Sequence, residues 1–348
     1  MKTSSMNSSI AFRDWNYSLQ FASKLADSIV LSFFLFLAAC APAPTPETIP
    51  IFTSTPTLVV IAPTFTLIPL TATFTTVPPT LTSTPVICNP RTVDYCITDG
   101  HFVFQRPIKL PGNTSVDVTY RYASTANGTR DPHHGVEFLN KFGTPVYAAR
   151  DGVVFFAGPD SKPMFSPWPD YYGNVIVIQH ADDLYTLYAH LSKILVQAGQ
   201  SVKVGDEIGE VGQTGVAIGS HLHFEVRRGN VEDYYSTQNP ELWLIPNLDA
   251  NGQPFGAIQI SVVTSTGQLV KHAEFTIQPY NQNQPAGIVE YGVTYSGDML
   301  RGAEENAALG DLSPGKYRLV LQYNGQHLER FVEVESGKLT QVIFTVAQ

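Results

Sequence analysis

Between residues 130 and 230 apolar and polar positions alternate in short runs. Val146-Tyr147-Ala148-Ala149, Gly152-Val153-Val154-Phe155-Phe156-Ala157-Gly158, Asn174-Val175-Ile176-Val177-Ile178-Gln179-His180 and Tyr185-Thr186-Leu187-Tyr188-Ala189-His190 are each bounded by Gly, Asn or Asp. Runs of this length, rich in Val, Ile and Tyr and punctuated by turn formers, predict antiparallel strands. The same pattern returns in Ile258-Gln259-Ile260-Ser261-Val262-Val263, in 318–323, 328–334 and 341–346, with Tyr323-Asn324-Gly325-Gln326 as a hairpin turn. Periodicity of 3.6 residues is almost absent, so the expected fold class is all-β. An antiparallel domain over 87–248 is followed by a small β-sandwich over 254–348.

The first 86 residues read differently. Lys2, Arg13 and Lys24 precede an apolar run from Ser28 to Ala39. It is shorter than the ~20 residues a membrane helix needs and suits the core of a signal peptide. Leu37-Ala38-Ala39-Cys40 resembles a bacterial lipobox, which implies cleavage before Cys40, lipidation of that residue and a membrane anchor. Residues 1–40 are therefore expected to be a lipoprotein signal peptide. Residues 41–86 are dominated by Pro and Thr, with Glu47 as their lone charge. Proline at that density forbids helices and central strands, so an extended, disordered linker is expected.

Composition narrows the function classes. A net charge of −9, with no clustered Lys or Arg, excludes the phosphate-gripping surface of a nucleic-acid binder. Export places Cys88 and Cys96 in a compartment where thiols oxidise, and with Cys40 assigned to lipidation they remain as a pair, so a disulfide between them is expected.

Six of the nine histidines fall between His133 and His223. His221-Leu222-His223 alternates within a strand-like run, so both imidazoles emerge on one face about 7 Å apart. Asp131-Pro132-His133-His134-Gly135-Val136-Glu137 places a carboxylate four residues after His133, with Gly135 available for a turn. Two imidazoles and one carboxylate on a metal leave a fourth position for water, the donor set of hydrolytic zinc sites. His134, if the segment is extended, points away from His133 and is expected to serve structure or to support a ligand rather than to coordinate. His180 is expected at a surface or core edge, and His101, His272 and His327 lie outside the motifs. No Gly-X-Ser-X-Gly elbow and no phosphate loop occurs. Val202 to Gly209 is similar to a biotinyl-carrier hairpin but lacks the carrier lysine.

His133 to Glu137, Gly143 to Ala149, Tyr172 to His180, Tyr185 to Ser192 and Gly212 to Arg227 together resemble the M23 zinc peptidases, the lysostaphin and LytM group. The resemblance covers roughly 130–228. It implies an antiparallel catalytic domain with one zinc ion on His133, Glu137 and His223, and with His190 and His221 as the catalytic pair. It also implies a metalloendopeptidase acting on peptidoglycan cross-links or stem peptides outside the bacterial cytoplasm. The family pattern has Asp where Glu137 stands; a catalytically weak wall-binding regulator is the competing expectation. Leu312-Ser313-Pro314-Gly315-Lys316-Tyr317-Arg318 is similar to a turn and strand of transthyretin-like or carboxypeptidase-regulatory-like modules, which implies a glycan- or protein-binding accessory sandwich.

Overall fold

The computed structural model describes residues 88–126 and 128–347. The expected signal peptide, Cys40 and the linker lie outside these residues. The described chain forms nineteen strands and two short 3-10 helices, Pro240–Leu242 and Gly297–Leu300. No described helix is long and apolar enough to cross a membrane.

A seven-stranded antiparallel sheet carries the histidine motifs. Its middle runs Thr237–Gln238, His221–Arg228, Leu184–Ala189, Asn174–Gln179, Gly152–Pro159 and Ser201–Val202, and Val136–Leu139 pairs with the first half of His221–Arg228. The strand His221–Arg228 therefore has neighbours on both edges. Its register sets His223 opposite Glu137 on one side and Ala189 on the other. One face, with Leu222, Phe224 and Val226, packs on Val136, Phe138, Ile176, Ile178 and Tyr188. Complete burial of such side chains contributes roughly 1.5–3 kcal/mol each, which pins the register: a slip by one residue would turn every histidine into the core. A three-stranded sheet, Pro145–Tyr147, Glu207–Glu210 and Lys193–Ile194, closes over the same core.

The C-terminal region is a sandwich. One sheet has the order Cys96–Thr98, Leu339–Val346, Gly256–Thr264 and Ala307–Leu312, with the middle pair parallel. The other contains Gln284–Pro285, Glu274–Asn281, Gly315–Tyr323 and Gln326–Val334, with Glu290–Val293 on the free side of Glu274–Asn281. Ile258, Ile260, Val262, Phe275, Leu319, Leu321, Val342 and Phe344 fill the space between the sheets. Ser313 and Pro314 carry the chain from one sheet to the other, and the Tyr317 hydroxyl donates to the Ser313 carbonyl at 2.8 Å. The hairpin joining Gly315–Tyr323 to Gln326–Val334 places Asn324 and Gly325 at φ 46° and 74°, as a two-residue turn of the I′ type requires.

The first described strand, Cys96–Thr98, pairs with Leu339–Val346 in the sandwich and not with the histidine-bearing sheet. The disulfide joining Cys88 to Cys96 ties the preceding loop to that strand. The two β regions meet along a buried seam. Leu242, Ala257, Ala308 and Leu339 pack together there, Tyr295 and Met299 extend the core of the histidine-bearing region, and Arg106 pairs with Asp311 at 2.6 Å.

Candidate metal centre

Three elements bring the motif residues together. His133 lies in the loop leading into Val136–Leu139, Glu137 is on that strand, and His223 faces it from His221–Arg228. Gly135 links the first two. Its backbone does not adopt a positive φ; a Cβ there would stand 2.4 Å from the Phe224 carbonyl oxygen and 2.8 Å from the His223 ring. The glycine is thus required by a close approach, where the sequence suggested a turn.

His133 Nε2 is 2.9 Å from Glu137 Oε1 and 3.1 Å from His223 Nδ1, and that nitrogen is 3.0 Å from the same carboxylate oxygen. All five motif side chains are buried, at 5–7% exposure for His133, Glu137, His190, His221 and His223. The far nitrogens of the two facing imidazoles have other partners. His133 Nδ1 is 3.0 Å from the Tyr120 carbonyl oxygen, and His223 Nε2 is 3.0 Å from Glu225 Oε1. With protons on those far nitrogens, His133 Nε2, His223 Nδ1 and Glu137 Oε1 are three acceptors aimed at one another. Glu137 Oε2 is buried without a hydrogen bond; His221 Nε2 stands 3.0 Å from it, out of hydrogen-bonding alignment. Converging lone pairs of this kind suit a cation, and these three residues can hold a metal ion. The extra methylene of Glu137 does not keep its carboxylate from the imidazoles.

Charge follows geometry. Burial disfavours ionised Glu137, but the facing His223 and His133 outweigh it and hold the carboxyl well below the usual range. Burial likewise opposes a proton on His223, yet Glu137 on one side and Glu225 on the other hold its value up at about 9. A metal held by His223 would bind at Nδ1 in place of that proton.

His190 and His221 flank the same space, with ring centroids 4.9 Å apart. His190 follows Leu184–Ala189 in the left-handed region, at φ 62°. Its Nδ1 is 2.8 Å from the Thr214 carbonyl oxygen, and His221 Nδ1 is 3.1 Å from that of Gly219. Donation to those carbonyls leaves the Nε2 atoms of both rings as bases. Burial, reinforced by His223, pushes His190 down to about 3, and burial lowers His221 although Glu137 opposes it. The loop supplying Thr214 and Gly219 is fixed where Gly215 crosses Gly173: a Cβ on either would lie 2.4 Å from the other's nitrogen.

Several residues near the centre carry no role in the motif reading. Tyr120 stacks on His133 at 4.1 Å. Glu225, Arg227 and Tyr172 form a buried polar group beneath His223. The alternation that places His221 and His223 on one face places Glu225 and Arg227 there too, and this was the signal available in the sequence. His134 points away from the three acceptors, stacks on Tyr234 at 3.6 Å and meets the Thr237 hydroxyl at 3.3 Å. His180 is buried against the Asp151 carbonyl and the Thr186 hydroxyl. His101 packs edge-on against Trp243, and His327 pairs with Gln322 in the sandwich.

Residues 131–235 match the family model described as Peptidase family M23. The chain is 47% identical over 95 residues to the peptidoglycan DD-endopeptidase ShyA of Vibrio cholerae, covering 27% of this chain and 20% of that protein. It is 34% identical over 146 residues to the DD-carboxypeptidase/endopeptidase Mpg of Neisseria meningitidis, covering 42% and 26%. The chain thus spans between a fifth and about a quarter of the length of these two relatives. Among solved structures, the catalytic domain of the M23 protein EnpA from Enterococcus faecalis aligns at 27% identity and a TM-score of 0.34, covering 40% of this chain and 95% of that one. The segment that matches the model of peptidase family M23, 131–235, holds all five side chains of the centre.

Proposed function

We propose that this chain is a zinc metalloendopeptidase that hydrolyses peptide bonds in the cross-links or stem peptides of peptidoglycan. His133, Glu137 and His223 hold one zinc ion, and His190 and His221 are the catalytic pair. The observation that carries this reading is the convergence of His133 Nε2, His223 Nδ1 and Glu137 Oε1 beside two further imidazoles whose Nδ1 atoms face backbone carbonyls. Zinc bound there supplies Lewis acidity, polarising a scissile carbonyl and making water nucleophilic at neutral pH.

The chain's own groups do the rest. His190 and His221 are neutral at neutral pH, so either Nε2 can take the proton released as water attacks. Once protonated, each can donate to the oxyanion or to the leaving amine. The carbonyls of Thr214 and Gly219 fix both tautomers. Peptidoglycan is chosen as the polymer because the relatives above are named as DD-endopeptidases. An extracytoplasmic, membrane-anchored location follows from the lipobox-like segment ending at Cys40.

The test is mass spectrometry of the fragments released from purified peptidoglycan by the full chain, with and without a chelator. Zinc-restorable cleavage of a peptide bond is expected. A chain that carries one equivalent of zinc and leaves the polymer uncut overturns the proposal.

A further inference from the structure

Past its two histidines, the strand His221–Arg228 continues with Glu225 and Arg227 on the same face, and both are wholly buried. Glu225 Oε1 accepts from His223 Nε2 at 3.0 Å and from the Tyr172 hydroxyl at 2.6 Å, and Oε2 accepts from Arg227 Nε at 2.7 Å. Three of the four remaining N–H donors of Arg227 go to the Val231 carbonyl at 2.7 Å, the Phe165 carbonyl at 2.8 Å and the Tyr172 hydroxyl at 2.9 Å. No oxygen of the carboxylate is left without a donor.

Stability is a weak reason for such an arrangement. Desolvating each ion costs several kcal/mol, and buried ion pairs are often replaced by apolar residues of similar volume with no loss. Orientation is a stronger reason. An imidazole with a carboxylate on one nitrogen presents the other as a lone pair in a fixed direction, and a more basic one. His133 has no such partner, since its Nδ1 faces only the carbonyl oxygens of Tyr120 and Arg121, at 3.0 and 3.3 Å.

We infer that Glu225 is a positioning residue for His223: it keeps the proton on Nε2 and aims Nδ1 at His133 and Glu137, while Arg227 and Tyr172 keep Glu225 in place. This rests on the zinc reading of the site. The two imidazoles of the centre are thus supported unequally, His223 by a buried charge and His133 by the backbone.

Full chains carrying Glu225→Gln and Tyr172→Phe test it. Glu225→Gln preserves size and one acceptor but removes the charge; Tyr172→Phe removes one hydroxyl donor. Zinc dissociation constants are measured by competition with a chromophoric chelator, folding by circular dichroism, and the His223 tautomer by 15N NMR of the zinc-loaded protein. Zinc binding on the order of 10–100-fold weaker is expected for Glu225→Gln, with a smaller loss for Tyr172→Phe and altered His223 nitrogen signals in both. A folded Glu225→Gln chain whose zinc affinity stays within about twofold of the parent, with unchanged His223 signals, overturns the inference. If Glu225→Gln does not fold, Tyr172→Phe decides on the same readouts. A parent chain that takes up no zinc defeats the reading of the whole centre, and this inference with it.

Discussion

Two buried polar groups, one in each β region of this protein, are treated in opposite ways. In the sandwich, Asn306 is wholly buried and its amide is saturated: Oδ1 accepts from the Val262 nitrogen at 2.8 Å, and Nδ2 donates to the Val262 and Val270 carbonyls at 2.9 and 2.6 Å. In the histidine-bearing sheet, Glu137 is buried with one oxygen unpartnered and the other facing two imidazole nitrogens. A satisfied buried amide staples backbone to backbone. An under-satisfied carboxylate among lone pairs is what a structure retains when something else is meant to bind. Between Asn306 and Glu137 the difference lies in the completeness of hydrogen bonding, rather than in burial or polarity.

The comparison breaks most visibly by substitution at the centre. His133→Ala or His223→Ala is expected to abolish zinc uptake, measured by metal analysis after dialysis, while the circular dichroism spectrum stays that of a β protein. His190→Ala or His221→Ala is expected to lower kcat by about 10²–10⁴-fold with zinc stoichiometry intact, as loss of a general acid–base group does. Retained turnover in either would return His190 and His221 to bystanders. On the structural side, Asn306→Ala strands the Val262 N–H, whereas the Val262 and Val270 carbonyls keep the Val270 nitrogen and the Thr294 hydroxyl as donors, and it is expected to cost about 2 kcal/mol in urea unfolding without changing zinc affinity. A loss of zinc instead would mean that the two regions are not separable in this way.

Glu305 lies between these extremes and sharpens them by pH. Burial, with Glu304 nearby, raises its pKa from 4.5 to about 7. Between those values the folded chain holds a proton that the unfolded chain releases. The stabilising contribution is complete below about 4.5 and lost as pH rises through about 7. Glu305→Gln is expected to recover on the order of 2 kcal/mol of unfolding free energy at pH 8 and to flatten the dependence across that window. An unchanged pH profile in the variant would show that Glu305 titrates as a solvated carboxylate. The smallest effect is expected at the hairpin: Gly325→Ala, at φ 74°, should cost about 1 kcal/mol with no effect on zinc or hydrolysis.

Much of the fold was legible because the strands follow a period of two residues. The runs at 152–158, 174–180, 258–263 and 341–346 are strands within a few residues of their predicted limits. Glu274–Asn281 and Glu290–Val293 were less visible, since Pro279 and the exposed Tyr291 and Val293 blur the alternation on the open side of the sandwich. The spacing of His133 and Glu137, and of His221 and His223, could be read directly. The same alternation extends to Glu225 and Arg227, but a charged residue in a strand ordinarily faces water, and only the approach of Tyr172, Phe165 and Val231 turns that face inward. His180 was expected at a surface or core edge and is buried, because Thr186 and the Asp151 carbonyl satisfy both ring nitrogens.

The sequence by itself determined that the described chain is built of strands, which residues share a face, and which side chains have the chemistry of a metal centre. These properties depend on backbone periodicity and side-chain type, both local. Only the tertiary structure decided that His223 stands opposite Glu137, that Cys96–Thr98 joins the C-terminal sheet, and that Glu225 rather than water partners His223. Strand pairing joins segments far apart in the chain, and it is settled by the collective burial of apolar faces, which no short motif encodes.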